Sequence, residues 1–172
     1  MSMKKVWLKQ YVGVWTVLRQ YWRTYGGIPA LVKSPYLHTS LAGSFLIPLW
    51  KMDDWYDIPL DVIPSILGFS LAGYAMFLAF GDEAFRRLIA GEYGDGKESP
   101  FMEFNAIFLH FIVVQILAIL LAVNAKVREI DGGVAAYFSC VVFVYSLLTA
   151  LAAAIEIFRC SRLFDRFVKH QE

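Results

Sequence analysis

Four stretches of this chain run for 17, 20, 22 and 24 residues without an Asp, Glu, Lys or Arg: Ser34 to Trp50, Val62 to Gly81, Phe104 to Ala125 and Gly132 to Ile155. A helix rises about 1.5 Å per residue, so crossing a hydrocarbon core of roughly 30 Å takes about 20 residues. The last three stretches meet that length outright. A water-soluble domain of 172 residues would have to hide all four runs in one core, and with 58% apolar residues and a mean hydropathy of +0.52 a bilayer is the better solvent for them.

The basic residues between these stretches fall on alternate sides. Lys4, Lys5, Lys9, Arg19, Arg23 and Lys33 precede the first, Arg86, Arg87 and Lys97 lie between the second and third, and Arg159, Arg162, Arg166 and Lys169 follow the fourth. The opposite side holds Lys51, Lys126 and Arg128 among Asp53, Asp54, Asp57, Asp61, Glu129 and Asp131. Cytoplasmic segments retain Lys and Arg during insertion, which predicts that both termini are cytoplasmic. The expected fold is an all-α integral membrane protein of four transmembrane helices preceded by an amphipathic interfacial helix. Its parts are an interfacial segment over 1–33, a transmembrane domain over 34–158 and a basic cytoplasmic helical tail over 159–172. The spans lie near 34–50, 62–81, 104–125 and 132–156, with a cytoplasmic loop over 82–103.

The first span is short and contains His38, Thr39, Ser40, Ser44 and Pro48. A re-entrant hairpin is the other reading; it would put six basic residues opposite the basic C-terminus, against the charge rule. Trp50, Trp55 and Tyr56 gather where an outer aromatic belt would lie. No secretory signal pattern is visible, since the first apolar run starts at residue 34.

Ahead of that run, Trp7, Tyr11, Val14, Trp15, Leu18, Trp22 and Tyr25 recur at helical spacing opposite Lys5, Lys9, Arg19 and Arg23. This pattern predicts a helix lying at the headgroups and broken by Gly26, Gly27 and Pro29, with a protein-docking face as the alternative. In the inner loop, Asp82 is the expected cap of a short helix through Ala90 that lays Phe85, Leu88 and Ile89 on the membrane. Ser99 and Pro100 read as cap and first residue of the third span.

Two intramembrane stripes stand out. Ser65, Gly68, Ala72, Ala75 and Ala79 align small residues on one face of the second span, a seam suited to close helix packing and to a homo-oligomer. On the fourth span, Ser139, Val142, Ser146, Thr149, Ala153 and Glu156 form a small and polar line. Two readings apply: hydroxyls bonded to backbone in a packing seam, or, with His110, a polar path for water or ions. Glu156 has Arg159 three residues on, so a local ion pair at the inner interface is expected. Asn105, His110 and Gln115 step by about 140° and cannot share a face. His110 is expected to bond a neighbouring helix.

Catalysis has no constellation. His38, His110 and His170 stand apart, Cys140 and Cys160 read as packing residues, the outer aspartates lack a calcium-loop spacing, and Gly68-Phe69-Ser70 lacks the second glycine of an intramembrane serine protease. No metal or cofactor is expected. Arg159, Arg162, Arg166 and Lys169, with Trp7, Trp15 and Trp22, are the expected contacts for lipid or a partner; sequence-specific nucleic-acid binding is not expected.

The segment Pro64 to Leu88, with Leu67-Gly68-Phe69-Ser70-Leu71, Gly73-Tyr74 and Phe80-Gly81-Asp82-Glu83, resembles small four-span proteins of bacterial phage-defence loci, the membrane component of the Kiwa system being the nearest. The resemblance covers 25 residues and the four-span layout. It implies a membrane subunit of the bacterial inner membrane that monitors the envelope with a cytoplasmic effector, and it carries over no functional residue. The expected function is therefore a noncatalytic, oligomeric membrane subunit that couples membrane state to a cytoplasmic partner. The competing expectation is an ion channel or small transporter lined by the fourth span.

Overall fold

The computed structural model describes residues 3–79, 81, 83–91 and 98–169, with side chains from residue 11 onward, and is helical without a strand among them. Seven α-helices follow in order: α1 (Met3–Tyr25), α2 (Gly27–Lys33), α3 (Pro35–Leu46), α4 (Asp57–Ala79), α5 (Glu83–Ala90), α6 (Pro100–Val127) and α7 (Gly133–Lys169). Three of them, α4, α6 and α7, are long and apolar enough to cross a membrane, at 23, 28 and 37 residues. They mark the chain as a multi-pass membrane protein.

The first charge-free stretch differs from the other three. It forms the 12-residue α3, about 18 Å long, followed by a 3-10 turn at Leu49–Lys51. Pro48, which cannot donate a backbone hydrogen bond, stands between the two. By itself α3 falls short of the hydrocarbon core.

The centre of the molecule is α6, with α4 and α7 antiparallel on either side of it, while α3 lies along α7 and α1 along α6. Between α4 and α6 the ladder runs from Ile63 beside Ala118, through a hydrogen bond from the Gln115 amide to Ser70 Oγ at 2.9 Å and one from Tyr74 to Asn105 at 2.9 Å, to Phe77 against Phe104 and Phe108. Gln115 and Asn105 thus each join α6 to α4, while Gln115 Oε1 is buried without a partner among the described residues. α6 starts where the sequence places it: Ser99 Oγ accepts from the Met102 amide at 3.3 Å, and Pro100 occupies the first turn. Cys140 and Cys160 are buried packing residues without a disulfide.

Three local expectations are corrected. Trp55 and Tyr56 do not form a lipid-facing belt: both are buried where α4 begins, packed on Ala122, Ala125 and Ala136, with the Trp55 indole donating to the Ile130 carbonyl at 2.8 Å. Trp50 meets Tyr137 edge-on. The turn that follows α6 is short, so it offers a carbonyl and small residues on which indoles can close the bundle end. Phe85 and Ile89 of α5 face protein rather than lipid. α7 continues without a break to Lys169, so Phe164 and Phe167 stand 5.0 and 5.6 Å from the Phe85 ring, and only Leu88 of the expected apolar trio is exposed. The cap expected at Asp82 lies outside the described residues. Finally, α1 does end at Gly26 and Gly27, both at positive φ, yet the chain resumes a helix at once, and Pro29 sits in the first turn of α2 where its missing N–H costs nothing.

Candidate functional site

His110 lies halfway along the membrane-crossing helix α6 and is 4% exposed. Both ring nitrogens are engaged: Nδ1 is 2.8 Å from the Tyr21 hydroxyl and Nε2 is 2.9 Å from the Tyr145 hydroxyl. The Tyr25 ring stacks on the imidazole with centroids 3.9 Å apart and planes 14° apart, and its hydroxyl is 3.5 Å from that of Tyr145. A neutral imidazole has one donor and one acceptor nitrogen, so one tyrosine donates to the ring and another receives from it. Three helices therefore converge on one residue, with α1 supplying Tyr21 and Tyr25 one turn apart, α6 the histidine and α7 the third hydroxyl. The expectation that His110 bonds a neighbouring helix is met twice over. Asn105 and Gln115 turn instead toward α4, as their rotation from His110 demands.

Toward the far end of α7 lies a cavity of about 360 Å³, lined by Glu103, Phe104, Arg159, Arg162, Leu163 and Arg166. A second cavity of about 330 Å³ borders Ser34, Tyr36, His110, Tyr145, Thr149 and Glu156. Glu156 belongs to both. Its side chain is 13% exposed; Oε1 pairs with Arg159 at 2.8 Å, the local pair expected from the sequence, while Oε2 is buried without a partner among the described residues.

The hydroxyls of the α7 line are bonded to their own helix. Ser139 donates to the Ala135 carbonyl at 2.9 Å, Ser146 to Phe143 at 2.7 Å and Thr149 to Ser146 at 2.9 Å. Ser146 and Thr149 are buried, and His110 is brought near Thr149 and Glu156 by the second cavity, but Ser139 sits apart near the opposite end of α7. This is the geometry of a packing seam.

The other residues singled out by sequence distribute as follows. Ser65, Gly68, Ala72, Ala75 and Ala79 are all exposed, on the side of α4 turned away from the bundle, and a Cβ built on Gly68 would meet nothing within 4 Å. Ile63, Ser70 and Phe77 form the face that packs inside the chain. Trp15 is 68% exposed; Trp22 is half-buried, its ring 6.1 Å from that of Tyr25, and the Trp7 side chain lies outside the described residues. Arg159, Arg162 and Arg166 line the larger cavity, and Lys169 pairs with Asp165 at 2.8 Å. His170 also lies outside the described residues. Among the described residues no group of three His, Cys, Asp or Glu side chains gathers as a metal site would require.

Tyr145 escaped the sequence reading because it sits off the small polar line of α7. The usable signal was a lone histidine in an apolar run, which must find two hydrogen-bond partners, and the nearby helices offer tyrosines. Comparison with protein-family models, with curated proteins and with solved structures finds no match.

Proposed function

We propose that this chain is a noncatalytic membrane subunit in which α1 couples the state of the bilayer to the helix bundle and, through the inner loop and the tail of α7, to a cytoplasmic partner. The observation that carries the reading is the division of α1. Tyr11, Val14, Trp15 and Leu18 are exposed, an aromatic and aliphatic surface suited to the headgroup boundary, whereas Tyr21 and Tyr25, on the next turns of the same helix, are fastened to His110 and Tyr145. A change in how the outer half sits on lipid is thereby felt inside the bundle.

In this proposal the broken segment from α2 to the 3-10 turn completes a fourth crossing, both termini are cytoplasmic in a bacterial inner membrane, and copies associate through the exposed small-residue face of α4. The charge bias supports the orientation, and the freedom of the Gly68 face supports the association. The resemblance of residues 64–88 to membrane components of phage-defence loci supports an antiviral setting. A channel lined by α7 has less in its favour, since its hydroxyls are already bonded to their own backbone.

The test is hydrogen exchange on the protein in vesicles with and without anionic lipid, alongside an environment-sensitive dye on a Val14→Cys variant. The dye and the protection of residues 21–25, 105–115 and 140–149 should respond together. A dye response without any change at the His110 cluster would refute the coupling.

A further inference from the structure

The tail of α7 has two neighbouring faces. Cys160, Phe164 and Phe167 are packed in the aromatic core with Phe85. Arg159, Arg162 and Arg166, three and four residues apart, share the adjoining face and point into the cavity of about 360 Å³ beside the first turn of α6. The wall of that cavity is apolar, made by Phe104, Ile107 and Leu163. Charges balance in an informative way. Glu156 takes Arg159, which leaves Arg162 and Arg166 against Glu103 on the rim, one positive charge in excess, and neither of the two arginines has an ion-pair partner among the described residues. The cavity also opens where exposed Leu151, Ile155, Ile157 and Phe158 give way to arginine along α7, the boundary between an apolar and a polar surroundings.

We propose that this cleft is a binding site for an anionic phospholipid, with the phosphodiester held between Arg162 and Arg166 and an acyl chain laid along Phe104, Ile107 and Leu163. A single phosphodiester neutralises the excess charge, and guanidinium groups bind its paired oxygens in a fork. The start of α6, whose dipole is positive at that end, faces the same space. The inference rests on the membrane-embedded part of the proposed function and does not involve the coupling through α1, so the two fail separately.

The experiment measures the association of spin-labelled phosphatidylglycerol, against spin-labelled phosphatidylcholine, with the full chain in phosphatidylcholine vesicles. The parent should prefer phosphatidylglycerol, and the preference should fall about fivefold for each arginine replaced in Arg162→Gln and Arg166→Gln, at the usual strength of a basic side chain near an anionic lipid. Arg87→Gln, which removes a charge on α5 outside the cleft, should leave the preference in place. Inorganic phosphate should not displace the lipid. Equal binding of the two lipids to the parent, an equal loss in Arg87→Gln, or displacement by phosphate would each overturn the site, the last by showing a soluble-anion pocket. Circular dichroism verifies that the variants are folded; should Arg162→Gln not fold, the exposed Arg166→Gln alone reads the same fivefold effect.

Discussion

Replacing Tyr145 by Phe removes one hydroxyl from the centre of the bundle and nothing else. That hydroxyl is the partner of His110 Nε2 at 2.9 Å, and both side chains are buried, Tyr145 at 5% exposure. Leaving a buried polar atom unpaired costs about 1–3 kcal/mol in general, while interhelical hydrogen bonds in membrane proteins average about 0.6 and reach about 1.7. The expected loss is therefore about 1.5 kcal/mol, at the upper membrane value because the histidine is enclosed. His110→Phe keeps a ring for Tyr25 to stack upon but takes the 2.9 Å partner from the Tyr145 hydroxyl, leaving it Tyr25 at 3.5 Å and Ser34. Tyr21 is only half-buried and can turn toward water, so its share of the loss is small. Once either partner is gone, removing the second relieves the orphan. The double variant should thus be less destabilised than the sum of the singles by about 1 kcal/mol. Reversible unfolding in mixed micelles, followed by circular dichroism, measures all four proteins. Additivity within about 0.3 kcal/mol would show that the two side chains do not share the bond and would remove the histidine cluster from the argument.

Tyr56 supplies a pH test outside the spanning helices. Its hydroxyl donates to Asp54 at 2.6 Å, and that bond, then burial and the neighbouring aspartates, push its pKa up to about 12 from 10. The folded value lies above the unfolded one, so the stability contributed by the neutral phenol is fully present below pH about 10 and is lost as pH rises through about 12. The difference in phenolate absorbance between parent and Tyr56→Phe should titrate near the raised value, and Asp54→Asn should bring it back toward 10. A Cβ at Gly68 meets no atom within 4 Å on this exposed face, so in Gly68→Leu the monomer should keep its stability within about 0.5 kcal/mol while cross-linking between copies falls; unchanged cross-linking would release the α4 face from any role in association. Phe85→Ala vacates a fully buried site against Phe164 and Phe167 and should cost about 3 kcal/mol, seen as faster proteolysis between α5 and α6; a cleavage rate equal to that of the parent would contradict the docking of α5 on α7.

The long apolar runs announced α4, α6 and α7 because their length alone distinguishes a bilayer-crossing helix. Ser99 and Pro100 gave the start of α6 because capping is local chemistry. The uninterrupted tail was legible in the spacing of Arg159, Arg162 and Arg166. What escaped the sequence depended on neighbours distant along the chain. Phe85 and Ile89 have the spacing of a lipid-facing strip, and only the arrival of Phe164 and Phe167, some 80 residues later, turns that strip inward. Trp55 reads as an interfacial anchor until the Ile130 carbonyl comes within 2.8 Å. Tyr21 and Tyr25 belong to an aromatic stripe that looks uniform in sequence, yet its two ends meet different surroundings because α1 crosses α6 at one end only. The small-residue face of α4 was legible as a pattern, whereas the face that packs within the chain, Ile63, Ser70 and Phe77, has no compositional mark.

The length of α7 has a mechanical consequence. At 37 residues it is a rod of about 55 Å, and Tyr145 grips it a third of the way along. From that grip to Arg166 is a distance of about 31 Å, so a tilt of about 10° about the tyrosine would carry the guanidinium groups roughly 5 Å sideways. A small rotation at the level of His110 would thus correspond, at the opposite end, to a displacement as large as a phosphate group. In the geometry of a lever, the packing of Phe164 and Phe167 on Phe85 is what holds the charged arm in place.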